Sequence, residues 1–307
     1  MDAGQVDIVE QGPRGPRRMG LLTILVALVA VPLVASLADR ETNPPDPVVT
    51  AAPVIREAIN VKANAVYPRE SGAGGTRTLW VTFPDGSRAQ IDYPTDLSLA
   101  ALGTRPYTSG TVTVSGEAEE FRSLTAPLYG EAETAAGRPM IRRLVDDVTL
   151  WPGPLGLDGA GSVLLFAFGD WRLALQDEHT GMTFEQRLAW AKHLRGRPTP
   201  DGFLTLSADG PVRLSRPGEL RDGVLVGPQL WFGGLSRRML VLAPVPDCAR
   251  LGRASVVLDP RHTIAGSTCR DGFYLAASGD PGFVRGALSQ VRVRTCETTG
   301  PICTSRP

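Results

Sequence analysis

The sequence predicts an α+β, mainly β fold of short antiparallel strands and hairpins with two or three helices, behind one N-terminal transmembrane helix. Three observations predict it. Residues 17–39, RRMGLLTILVALVAVPLVASLAD, contain an uncharged stretch long enough to cross a bilayer. Beyond it, short apolar runs alternate with polar residues and are separated by Gly, Pro and Asp. One later segment, MTFEQRLAWAKHLRG, switches to a helical period and carries its own start signal.

From Met19 to Ala38 no residue is charged. At about 1.5 Å of rise per residue, a helix over that stretch matches a bilayer core of roughly 30 Å. Arg14, Arg17 and Arg18 precede it, and Asp39, Arg40 and Glu41 follow. Basic flanks stay on the cytoplasmic side. Residues 1–18 are therefore expected as a cytoplasmic tail, 19–38 as a single-pass span of the cell membrane, and the rest outside. A cleaved signal peptide is the rival. Met19–Val31 is an apolar core of suitable length, Pro32 breaks it, and Ser36-Leu37-Ala38 offers a small-x-small site, giving secretion after cleavage near Ala38. Unbroken length favours the anchor, and both readings export the remainder.

Residues 39–53 are Pro-rich and read as an extended linker. A β-rich subdomain is expected over 54–150 and an α+β subdomain with the disulfides over 151–307. In TLWVTFPDGSRAQIDY (78–93), Val81 and Phe83 share one face, Ala89, Ile91 and Tyr93 alternate likewise, and Pro84-Asp85-Gly86 supplies the turn. TSGTVTVSG continues the β pattern; GEAETAAGRP interrupts it with loop or short helical character. SVLLFAFGDWRLALQD (162–177) reads as a second hairpin turning at Gly169-Asp170. In the helical segment Thr183 and Gln186 make a capping box, Phe184, Leu188 and Ala191 fall on one face, and Gly196 can close the end. Short strands follow in GFLTLSADGPVRLS, GVLVGPQLWF, RMLVLAPV, ASVVLD, GFYLAAS and VRVRTC. Asp280 and Pro281 start one more short helix.

All four cysteines, Cys248, Cys269, Cys296 and Cys303, fall near the C-terminus. An even number in an exported chain reads as two disulfides, with three connectivities open. Cys296 and Cys303 bracket ETTGPI, whose Gly-Pro can turn the chain back. That pairs these two and leaves Cys248 with Cys269. No Cys-x-x-Cys or His-x-x-x-His spacing calls for zinc or a redox pair.

The chain carries 32 basic and 32 acidic residues. Three of each precede the apolar stretch, so the remainder has no net charge. Such balance argues against a nucleic-acid partner, which needs a basic excess. His179, His193 and His262 are the only histidines. No Gly-x-Ser-x-Gly elbow accompanies them, and GGLSR around Ser236 has the wrong spacing. His193 falls on the charged side of its helix. His262, in LDPRHTIAG, is the sharpest candidate: Asp259 either orients its ring or bonds the backbone around Pro260, the second being commoner. GPLGLDGAGS has the wrong glycine order for a phosphate loop, and a strand follows it. The pairs Asp146-Asp147 and Glu119-Glu120 diverge as sequence neighbours do. Trp80, Trp151, Trp171, Trp190 and Trp231 suit core or rim positions, or a carbohydrate or peptide groove. No catalytic, cofactor-binding or metal-binding residue is assigned, and no cofactor is expected.

The order WVTFPDGSRAQIDY…LGTRPYTSGTV and FAFGDWRLAL…AWAKHLRGRPTPDGFLTL resembles exported, membrane-anchored actinomycete proteins with no assigned activity. The resemblance spans residues 78 to 215. It implies an envelope location and carries over no catalytic residue. The expected function is a non-enzymatic binding or envelope-scaffold module, touching the membrane through its N-terminal helix, with an envelope protein or glycan as partner. The alternative is an envelope hydrolase whose catalytic residues are dispersed along the chain.

Overall fold

The computed structural model describes residues 64–114, 119–153, 161–176, 181–234, 237–252 and 254–296. The expected membrane helix and linker, His179 and Cys303 lie outside them. All described residues belong to one compact unit, Glu57–Pro307. Among them no helix is long and apolar enough to cross a membrane.

The first elements are β1 (Glu70–Ser71), β2 (Thr76–Thr82) and β3 (Arg88–Pro94). The expected hairpin forms between β2 and β3, because the Asp85 carboxylate accepts from the Ser87 backbone N–H at 3.0 Å and the Ser87 hydroxyl at 2.7 Å. Leu79, Val81, Ala89 and Ile91 bury one face of it. A 3-10 turn (Thr95–Leu97) and α1 (Leu99–Leu102) lead into β4 (Thr104–Val112), buried along its length. Then come β5 (Glu120–Thr125), α2 (Glu131–Ala135), and the strands β6 (Arg142–Val145), β7 (Val148–Pro152), β8 (Ser162–Phe168) and β9 (Trp171–Gln176). The helix α3 (Phe184–His193) passes directly into the hairpin β10 (Leu194–Pro198) and β11 (Leu204–Ala208). Short strands β12 (Val212–Leu214), β13 (Leu220–Arg221) and β14 (Val224–Leu225) precede the long pair β15 (Gln229–Gly233) and β16 (Met239–Pro244). The chain continues through β17 (Ser255–Val256), β18 (Gly266–Arg270), β19 (Phe273–Ser278), α4 (Pro281–Gln290) and β20 (Arg292–Thr295).

The result is mainly β, with antiparallel pairing throughout the large sheet and four α-helices among the described residues. An eleven-stranded sheet runs β18-β19-β16-β15-β4-β5-β9-β8-β7-β6, with β12 also on β4. A four-stranded sheet runs β1-β2-β3-β20, so the last described strand closes the first hairpin. The boundary expected at residue 150 is not a structural one. β7 crosses it, and the large sheet takes strands from both sides. Pairing of β15 with β4, more than a hundred residues earlier, welds the two halves.

Alternation along the strands gives the large sheet two buried faces. On one, Leu230, Phe232, Leu240, Leu242 and Leu275 pack against the four-stranded sheet and against Phe283 and Ala287 of α4. Farther along the same face, Leu124, Leu164, Phe166 and Leu173 meet Trp190 of α3 and Leu206 of β11. On the opposite face Trp231, Val241, Tyr274 and Ala276 are covered by Leu251 and Val256. Val163, Leu165 and Ala174 are covered there by Ala135 of α2.

Helix α3 starts where the sequence says. Thr183 Oγ1 accepts from the Gln186 N–H at 3.2 Å, and Gln186 Oε1 from the Thr183 N–H at 2.9 Å. Ala191 is buried as expected, but the rest of the buried face differs from expectation. Phe184 is 43 % exposed and lies under the Arg142 guanidinium at 4.7 Å, and Leu188 is half-buried. Trp190, fully buried, is the anchor instead. Gly110 on β4 explains this: a Cβ there would stand 2.9 Å from the Trp190 ring, so its absence makes the slot. Gly196 does not close the helix. It lies within β10, where a Cβ would sit 2.2 Å from the Phe168 ring. Helix α4 forms as expected, Asp280 accepting from the Phe283 N–H at 2.9 Å.

The Cys248–Cys269 disulfide is present, with its Cα atoms 5.6 Å apart. Cys296 is also disulfide-bonded; its expected partner, Cys303, lies outside the described residues.

Candidate functional site

Between the two clusters on the loop-covered face lies a cavity of about 460 Å³. Its floor is the sheet. Registers Trp231↔Arg105, Tyr107↔Thr125 and Thr125↔Ala174 put side chains from β15, β4, β5 and β9 on the same face, in sequence across it. Residues 126–138, including α2, form one wall, and the segment Val257–Pro260 forms the other.

A strand side chain of unusual type holds the second wall. Arg105 on β4 is an arginine inside a fully buried strand, its side chain 3 % exposed. It donates from Nη1 to the Ala126 carbonyl at 2.9 Å and from Nη2 to Asp259 Oδ2 at 3.0 Å. Asp259, also buried, takes further bonds from Arg261: Nε to Oδ1 at 2.7 Å and Nη2 to Oδ2 at 2.8 Å. Arg261 then reaches Glu133 on α2 at 3.4 Å. Each charge is thereby compensated, which a buried ion requires. Burial opposes ionisation of Asp259, but the hydrogen bonds from Arg261 and Arg105 outweigh it and hold the carboxyl well below the usual carboxylate range. Burial likewise pulls the Arg105 guanidinium down, with Asp259 opposing. The pair is ionic at neutral pH.

The aromatic part of the floor is equally ordered. Trp231 stacks on Tyr107 with ring centroids 4.9 Å apart, and the Arg105 guanidinium stands 5.8 Å from the indole. The Tyr107 hydroxyl lies 3.2 Å from Ser109 Oγ and 3.3 Å from Ser123 Oγ.

The histidines lie elsewhere. His193 Nδ1 contacts Asp209 at 2.5 Å on the surface. His262 follows Asp259, but that carboxylate faces the arginines and the Arg261 N–H rather than the ring. The Asp259 carboxylate accepts from the Arg261 N–H at 3.2 Å, the backbone bond expected in LDPRH, and the Asp259 carbonyl accepts from the His262 N–H at 2.8 Å. The His262 ring instead lies 3.5 Å from Ser278 Oγ. Of the five tryptophans, only Trp231 lines the cavity. Trp151 and Trp190 are core, Trp171 donates to the Gly202 carbonyl, and Trp80 is half-buried. Glu120 is paired with Arg122 at 3.0 Å, and Asp146 and Asp147 are exposed.

No family model, no curated protein and no solved structure matches this chain. The site therefore has to be read from its own chemistry. Sequence reasoning reached Asp259 and its bond to the backbone, but not its arginine partners, and it missed Arg105 altogether. The only signal was an arginine, in LGTRPYTSG, inside a run with strand character.

Proposed function

We infer that this chain is a membrane-anchored, extracytoplasmic binding module, and that the cavity over β4, β5, β9 and β15 is its ligand site. The observation that carries the reading is the cavity itself. Its volume, about 460 Å³, falls in the range of small-molecule sites. Its four charged lining groups, Arg105, Glu133, Arg138 and Asp259, are bound to one another, to Arg261 or to backbone. General acid–base work needs a group poised to exchange a proton. Asp259, held as a carboxylate between two arginines, is poised for the opposite. The extracytoplasmic part rests on the stretch 17–39, and the Cys248–Cys269 disulfide is consistent with it.

Two measurements test this. Screening the full-length chain by thermal melting against envelope lipids, glycan fragments and small apolar compounds should give stabilising ligands. Their effect should be lost in Val163→Trp, whose added ring occupies the cavity. Stabilisation that survives that substitution removes the cavity from the reading. Cell fractionation with N-terminal sequencing tests the anchor: protein in the medium beginning near Asp39 rules it out.

A second reading, an envelope hydrolase, is favoured by the approach of Ser278 Oγ to His262 Nδ1. Turnover of ester, peptide or glycan substrates that disappears in His262→Ala, with the fold intact, would establish it.

A further inference from the structure

Resting on the binding reading, we propose that the ligand of this cavity is an elongated apolar molecule ending in a single carboxylate, which Arg138 receives at the cavity mouth. Charge points to an anion. Arg105, Arg138, Glu133 and Asp259 line the cavity, and Arg261 pairs with both carboxylates. Asp259 is shared by Arg105 and Arg261, while Glu133 accepts from the Tyr129 N–H and from Arg261. Both carboxylates are thereby answered. The third arginine, Arg138, meets no carboxylate among the described residues; its Nη1 donates to the Gly153 carbonyl. That leaves Nε and Nη2, the edge of a guanidinium that takes a carboxylate through two parallel bonds. A cationic ligand would meet the same unanswered charge and be repelled.

Position decides where the anion sits. The Gly153 carbonyl follows β7, one residue past the Pro152↔Ser162 pair, so Arg138 stands at the end of the floor that holds Val163. This end opens to solvent: Arg138 is half-buried, and Ala136 and Gln176 are exposed. At the other end Arg105, Trp231 and Asp259 are buried, and the Trp231 indole lies stacked on Tyr107. Between the two ends the floor crosses β15, β4, β5, β9 and β8, four spacings of about 4.8 Å each. Along any one strand it is at most two side chains deep, about 7 Å. A site long across the sheet and short along it suits a chain. The surface that such a chain would cover, from Ala126, Pro127, Val163, Ala174 and Leu258, is hydrocarbon. The Ser123 and Thr134 hydroxyls beside it are spent on the Tyr107 hydroxyl and the Gly130 carbonyl.

Four probes separate the alternatives: octanoate, octan-1-ol, octylammonium and acetate. Hydrogen exchange of the full-length chain, read by mass spectrometry over the cavity walls at residues 126–138 and 257–260, reports occupancy at the site itself. Octanoate should half-saturate protection at a concentration about tenfold below octan-1-ol or octylammonium. Acetate, the head group without the chain, should need at least about a hundredfold more than octanoate. In Arg138→Gln the octanoate value should rise roughly tenfold, to that of octan-1-ol, and Arg138→Lys should recover part of the loss. Ligand-free exchange unchanged over β16 and β19 shows that both variants keep their fold. Octylammonium or octan-1-ol binding as tightly as octanoate overturns the anionic ligand class and leaves the binding reading standing. Acetate as tight as octanoate overturns the apolar chain. Octanoate affinity indifferent to Arg138→Gln overturns the role of Arg138. No protection by any of the four removes the binding reading and this proposal together.

Discussion

Arg105 Nη2 lies 3.0 Å from Asp259 Oδ2, joining a strand to a turn 154 residues later, with both side chains almost wholly buried. The disulfide between Cys248 and Cys269 ties the roots of the segment that carries Asp259. The ion pair fixes the middle of that segment to the large sheet. Together they shape one wall of the cavity.

Removing one partner of this pair should be expensive. Arg105→Met strands a buried carboxylate on Arg261 alone and should cost about 3–5 kcal/mol in a urea titration. Arg105→Met/Asp259→Leu should recover part of that loss, because two apolar groups leave no buried unpaired charge and half-exposed Arg261 keeps Glu133. A single-variant cost below about 1 kcal/mol would mean that the pair does not hold the wall.

Acid should erase the contribution of Asp259. Its carboxyl titrates below the usual range in the folded chain, so its stabilisation is present above the unfolded value of about 4. It is lost as pH falls through the folded value. The stability gap between the native chain and Asp259→Asn should hold steady from about pH 8 to about pH 5 and shrink below about pH 4. A gap that widens on acidification contradicts the ionic assignment.

Helix α3 offers a test of which face is buried. Trp190→Ala opens a cavity beside Gly110 and should cost about 3–5 kcal/mol. Phe184→Ala should cost about 1 kcal/mol or less, since that ring is 43 % exposed. Leu188→Asp should fall near Phe184→Ala, because a half-buried position lets the carboxylate reach water. Equal melting shifts for Trp190→Ala and Leu188→Asp would refute this orientation.

Peptide mapping without reduction should recover Cys248 linked to Cys269. Replacing both with serine should cost about 3 kcal/mol, the chain-entropy value for a loop of this length. A Cys269–Cys296 peptide would contradict the connectivity.

Local chemistry was legible in the sequence wherever neighbours in the chain decide it. The turn at Asp85, the capping box of Thr183 and Gln186, and the start of α4 at Asp280 all form as read, because each rests on hydrogen bonds within a few residues. The Cys248–Cys269 pairing followed from the turn in ETTGPI and the even cysteine number. The face of α3 did not follow, since it depends on Gly110 in another strand.

The sequence by itself determined a mainly β chain of short antiparallel strands, the hairpins of β2–β3 and β8–β9, and both longer helices, since alternation, turn residues and caps act over short distances. Only the tertiary structure decided that β4 pairs with β15, that β20 closes the first hairpin's sheet, and that Arg105 meets Asp259 above Trp231 and Tyr107. Those contacts join residues more than a hundred positions apart. No local pattern encodes them, and they form only when the two halves bury their apolar faces in one sheet.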